Sequence, residues 1–151
     1  MRRRACITIL GGTVAALLAA ASPVAGAAAG DPTGTWHTKG HLAQVLIAKC
    51  GQDLCGSIVA LKDPIDPATG KPQTDTENED STKRNRPVMG LQIVSGMKSH
   101  GANKWSGQIY SPEDGKAVNG NLILNDPNTL EVEGCIMGGL LCRSEIWTRA
   151  K

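Results

Sequence analysis

The chain has 151 residues, with 16 Lys and Arg against 14 Asp and Glu and a formal net charge of +2. That length supports one compact domain and leaves a second short of core. A hydrophobic fraction of 40% excludes a disordered tail and a membrane bundle, and a charge near zero argues against a nucleic-acid binder, which carries a basic face.

Residues 1–29 have the layout of a secretory signal peptide. Arg2, Arg3 and Arg4 form a basic start, Ile7 to Ala21 is apolar, and Ala25-Gly26-Ala27 and Ala27-Ala28-Ala29 are small-x-small cleavage sites, which places cleavage within 25–30. The apolar run of about 15 residues is shorter than the roughly 20 that span a bilayer. Cys6 precedes that run and no Cys stands at the cleavage site, so a lipoprotein is not expected. Removal of the leader leaves 13 basic and 14 acidic side chains. The expected product is a soluble periplasmic or secreted domain, residues 30–151, with no integral membrane segment after cleavage.

The rest of the chain reads as strand after strand. Thr33 to Thr38 carries Trp36 and ends at a Lys39-Gly40 turn. Leu42 to Cys50 is partly alternating and β-branched, and Gly56 to Leu61 pairs back on it. A polar stretch at 62–86 follows, with Pro64, Pro67, Gly70 and Pro72 and the acidic run Glu77-Asn78-Glu79-Asp80. It shows no apolar period, although a short helix fits within 76–86. Val88 to Met97 resumes the strands. Trp105 to Tyr110 alternates, with Trp105, Gly107 and Ile109 on one side and Ser106, Gln108 and Tyr110 on the other. Ser111-Pro-Glu-Asp-Gly115 is a turn, and Lys116 to Leu124, Leu130 to Cys135 and Cys142 to Arg149 complete the set.

About eight short strands joined by tight turns predict an all-β fold, a small antiparallel up-and-down barrel, with a two-sheet sandwich as the alternative. Closure removes the sheet edges that would otherwise aggregate. The interior of such a barrel is just wide enough for side chains or one small ligand.

Four cysteines remain after the leader, and an even count in a small exported chain reads as disulfides. Three pairings are possible. Hairpin symmetry favours Cys50–Cys55, about a Gln52-Asp53 turn, and Cys135–Cys142, about Gly138-Gly139. The competing zinc site wants two to four residues between paired cysteines, which Cys135 and Cys142 do not meet. His37 and His41 would lie about 13 Å apart on a continuous strand, too far to share an ion. A turn at Lys39-Gly40 would bring them face to face, but a third ligand is not evident. No metal or cofactor is expected.

Two features are similar to lipocalin-like barrels. Gly34-Thr35-Trp36 opens the first strand, and Arg149 closes the last in Trp147-Thr148-Arg149. The resemblance implies that Arg149 stacks on Trp36 and closes the base of the barrel. The chain also resembles DUF2147, a family of exported bacterial proteins. The matching stretches are Gly34-Thr-Trp36, Cys50-Gly-Gln-Asp-Leu-Cys-Gly56, Gly70-Lys-Pro-Gln-Thr-Asp75 with Asn78, and Arg86-Pro-Val-Met-Gly-Leu91. They continue with Lys104-Trp-Ser-Gly-Gln-Ile-Tyr-Ser-Pro-Glu-Asp-Gly-Lys116, Gly134-Cys135 and Trp147-Thr-Arg149. The resemblance implies a lipocalin-like barrel in the periplasm or outside the cell and no established activity. After Gly115-Lys116 the family pattern expects an aromatic, often Tyr, where this chain has Ala117-Val118.

The candidate ligand-binding residues are Asp75, Asn78, Arg86, Trp105, Tyr110 and Lys116. Arg86 reads first as a latch that pairs with Asp75 and pins the long loop across the barrel mouth, and second as a ligand contact. Trp105 reads as barrel core or as an apolar pocket wall. No Ser–His–Asp order, nucleophile elbow, P-loop or His-Glu-x-x-His motif appears, so no catalytic residue is assigned. Hydrolysis would need an unmatched pair such as Asp75 and Asp114. The leading expectation is a small, largely apolar ligand, lipid or fatty-acid-like, in a barrel with a cavity large enough for an acyl chain. The alternative is a non-catalytic interaction or structural module of the cell envelope that uses the 62–86 loop on an envelope protein.

Overall fold

The computed structural model describes residues 30–151, so the leader expected at 1–29 lies outside the described residues. Eight antiparallel strands close into one barrel in chain order: β1 Gly34–His37, β2 Ala43–Cys50, β3 Asp53–Leu61, β4 Gln92–Ser99, β5 Lys104–Ser111, β6 Lys116–Asp126, β7 Thr129–Ile136 and β8 Leu141–Arg149. The barrel, not the sandwich, is the architecture. β3 starts three residues earlier than its apolar run suggests, because the turn is Gly51-Gln52 and Cys50 pairs with Asp53. β4 starts four residues later, because Val88 to Leu91 complete the loop, which therefore runs over 62–91. The short helix within it is a 3-10 turn at Ser81–Lys83, capped by the Asp80 side chain accepting from Thr82 N–H at 3.0 Å.

The register puts one set of side chains inside. Trp36 pairs with Val45, Val45 with Ile58, Val94 with Ile109, Trp105 with Leu122, Leu122 with Val132, and Leu130 with Trp147. Trp36, Val45, Val94, Leu122 and Leu130 are fully buried, as are Ile47 and Met97, and with Trp105 and Trp147 they form one contacting cluster. The contacts are close. A methyl on Gly56 would come within 2.6 Å of Ile47 Cδ1 and 3.1 Å of Val94 Cβ. With no Phe in the sequence, three Trp and the branched aliphatics fill a lumen of the width that eight strands allow. One hollow of about 730 Å3 lies at the base, between residues 30–33 and the β6–β7 turn, and another of about 150 Å3 lies beside His37 and His41.

The base is closed by Arg149. Its guanidinium lies 4.2 Å from the centre of the Trp36 ring. It also donates to the carbonyls of Thr33 at 2.7 Å, Asp31 at 2.9 Å and Pro127 at 2.5 Å. Trp36 Nε1 donates to Pro32 O at 2.9 Å, so its one polar atom is satisfied. Gly34 is required here: its φ is +122°, and a Cβ would sit 2.7 Å from the Arg149 guanidinium.

The cysteines pair as Cys50–Cys55 and Cys135–Cys142, with Cα separations of 5.9 and 4.1 Å. Cys135 and Cys142 face each other directly across β7 and β8. Cys50 and Cys55 do not: Cys55 stands opposite Ala48, so this bridge crosses the hairpin diagonally.

Arg149→Ala removes a cation–π contact and three charge-assisted hydrogen bonds, and the expected loss is about 2–4 kcal/mol in urea unfolding. A loss under about 0.5 kcal/mol, the size of an ordinary surface change, would show that the base does not depend on this contact.

Candidate functional site

The long loop is organised around one carboxylate. Asp75 is fully buried, which is costly for an ionised group unless every lone pair is used. Here each oxygen has a donor. Tyr110 Oη donates to Oδ1 at 2.7 Å, while Oδ2 accepts from Asn78 Nδ2 and Arg86 Nε, both at 2.8 Å. Arg86 Nη2 also lies 2.8 Å from Oδ2. Asn78 Nδ2 reaches Tyr110 Oη as well, at 2.8 Å, and its Oδ1 accepts from Asp80 N–H. The Arg86 guanidinium lies 5.3 Å from the Tyr110 ring centre.

The backbone repeats the closure. Asp75 N–H donates to Arg86 O at 3.0 Å and Val88 N–H to Gln73 O at 3.0 Å, so residues 73–75 and 86–88 form a miniature ladder. Pro87 disfavours the helical region for Arg86 and keeps that strand extended. Arg84 Nε binds Asn78 O at 2.8 Å and ties the 3-10 segment to the same centre.

Burial pushes the Asp75 carboxyl up. The hydrogen bonds from Tyr110, Asn78 and Arg86, together with the Arg86 charge, outweigh it and hold the group below the ordinary carboxylate value. Burial and the adjacent Asp75 carboxylate push the Tyr110 phenol up, so it remains a donor.

The loop folds back on β5 and the β5–β6 turn, and its Val88 and Leu91 are buried in the same apolar cluster as Ile93, Val94 and Trp105. Ile109 faces inward against Val94, so Tyr110, one residue on, faces outward. Ile93 on β4 is buried together with Val88 and Leu91 from the loop. The strap rests on the β5–β6 turn as well. Gly115 has a φ of +67°, and any Cβ there would fall inside the Glu77 carbonyl.

Asp75, Asn78, Arg86 and Tyr110 are thus one cluster. Trp105 is apart from it, in the lumen core at 9% exposure. Lys116 is exposed, and its ammonium lies 3.9 Å from the exposed Glu79, a pair of little energetic weight. Asp114 accepts from Ser111 in its own turn. Asp75 is closed to solvent and held by Tyr110, Asn78 and Arg86, while Asp114 is engaged within its own turn. Ala117, where the family pattern expects an aromatic, stands directly across from Tyr110 and is exposed. His37 and His41 stack face to face at 4.5 Å between centroids. The one group of three potential metal ligands among the described residues is Glu133, Cys135 and Cys142, and its sulfurs are joined in a disulfide.

Sequence reasoning missed Gly115 as the seat of the strap and Ile93 as its apolar pad. It also missed the exposure of Ile136, Met137, Leu140 and Leu141 at the β7–β8 turn. A signal for the last was present: Ile-Met-Gly-Gly-Leu-Leu has no polar side chain, which is unusual for a surface turn.

A closed eight-stranded barrel with an N-terminal Gly-x-Trp stacked under a C-terminal Arg defines a lipocalin-like protein. Among solved structures the chain is similar to protein HP1028 from the human pathogen Helicobacter pylori, described as belonging to the lipocalin family, with a TM-score of 0.69 at 20% identity over 81% of this chain and 84% of that one. Residues 34–149 match DUF2147, described as an uncharacterized protein conserved in bacteria, and the chain belongs to that family. No curated protein matches it.

Asp75→Asn removes the charge that Arg86 and Tyr110 serve. The expected cost at neutral pH is about 2–3 kcal/mol, below the roughly 3–5 kcal/mol of a broken fully buried pair because Arg86 keeps partial access to water. The folded carboxyl titrates below its unfolded value of about 3.9, so its contribution is complete above that value and is lost as pH falls through the folded one. The gap in stability between wild type and Asp75→Asn should therefore narrow in unfolding experiments taken from pH 5 toward pH 2. A gap that widens in acid would contradict a lowered folded pKa.

Proposed function

We propose that the protein is an exported, non-catalytic interaction module of the bacterial cell envelope that presents the strapped loop 62–91 to a protein partner. The observation that carries this reading is the fully buried Asp75 carboxylate, held by Asn78, Arg86 and Tyr110, beneath an exposed polar surface. Loops of this length in compact domains are either mobile or functional, and this one is tied down by buried charge. Its outer face offers Lys71, Glu77, Glu79, Asp80, Lys83 and Arg84, all exposed. Charged groups of both signs on a fixed backbone suit electrostatic recognition, which sets specificity and association rate. The cysteine pairs and the leader-like residues 1–29 support an oxidising compartment, periplasmic or extracellular.

The lipocalin-like fold favours a second reading, a small apolar ligand held in the barrel. That ligand would have to displace side chains from the cluster around Trp36, Met97, Trp105 and Leu122. Fold alone does not carry the activity.

Native mass spectrometry of the oxidised protein, purified gently from its exporting host, separates the two. The expected result is the processed chain less four hydrogens with no small mass attached, and a protein crosslink from a photoreactive residue at Lys71 that is lost when Glu77→Lys, Glu79→Lys and Lys83→Glu reverse the charges of that face. A small mass that is lost on denaturation would overturn the interaction reading in favour of the ligand.

A further inference from the structure

The β7–β8 hairpin outruns its neighbour. β8 begins at Leu141, but β1 pairs only with Thr148 and Arg149 at its far end. Residues 139–144 are all exposed. β7 stays paired with β6 as far as Cys135, so the β8 edge and the tip beyond the Cys135–Cys142 disulfide are the parts with no neighbouring strand.

That tip is apolar. Met137 and Leu140 are 71% and 84% exposed, and Ile136 and Leu141 about half. Gly138 and Gly139 complete a run of six residues without a polar side chain. The first charge below it is Arg143, opposite Gly134 and two positions from Leu141. Arg143 is exposed and has no hydrogen-bond or ion-pair partner among the described residues. The nearest acids on the hairpin, Glu133 and Glu145, lie further down.

We propose that this tip inserts into the headgroup region of an anionic lipid surface, with Arg143 at the level of the phosphates. Apolar tips backed by basic charge partition in this way. A protein interface fits less well. The four side chains offer on the order of 400–500 Å2, about half of the roughly 800 Å2 a side that a stable interface takes, and the tip is convex. Within the hairpin most backbone groups are already paired across β7 and β8, so entry strands few of them. The inference is independent of the loop at 62–91, which folds back on β5 and the β5–β6 turn.

The test is co-sedimentation of the oxidised protein with phosphatidylcholine vesicles, with and without one-third phosphatidylglycerol. Binding is expected only with the anionic lipid. Met137→Asp/Leu140→Asp should weaken it at least tenfold, and Arg143→Gln should weaken it and flatten its salt dependence. These side chains lie outside the core, so circular dichroism should be unchanged. No binding by the wild type, or equal binding by the double variant, would overturn the proposal. So would a wild-type dimer in solution that the double variant dissolves, because the tip would then be covered by a second copy.

Discussion

A carboxylate taken out of water must be matched by donors, and in this barrel that requirement fixes the longest irregular segment. Asp75 is fully buried and is served by a guanidinium, a phenol and an amide from three other positions in the chain. Two of these donors lie on the loop itself and the third lies on β5. Satisfying one charge therefore closes the loop on itself and docks it on the barrel wall in the same step. Such a centre is specific more than it is strong, because desolvation consumes most of the Coulombic gain. Losing any one partner leaves the others unsatisfied, so the arrangement behaves as a unit.

Two guanidinium groups act in related ways. At the base the Arg149 guanidinium covers an indole and gathers carbonyls from the entering chain and the β6–β7 turn. On the wall the Arg86 guanidinium covers a phenol and gathers a carboxylate. Both hold irregular backbone against regular strands, which is where a small barrel is weakest. The lumen is occupied by its own side chains. The fold is lipocalin-like, and its surface carries a tied-down loop and an exposed apolar hairpin tip.

Much of this was legible in the sequence because the causes are local. Strand alternation and the turn residues led to the barrel, and its closure by Arg149 on Trp36 followed from the lipocalin resemblance. Asp75, Asn78, Arg86 and Tyr110 were legible as candidates, but their common centre was not, since 35 residues separate Asp75 from Tyr110. The filled lumen was the least legible feature. It depends on how three indoles and the aliphatics nest, as at Gly56, where one added methyl would collide with Ile47.

The central claim is that buried charge makes the loop a fixed surface. Amide hydrogen exchange of the wild-type protein at neutral pH tests it directly. The amides of Asp75, Asn78 and Val88, which bond within the loop, should exchange at least a hundredfold more slowly than in an unfolded chain. Exchange there at unfolded-chain rates, with the strands protected, would contradict the account and make the loop a mobile segment.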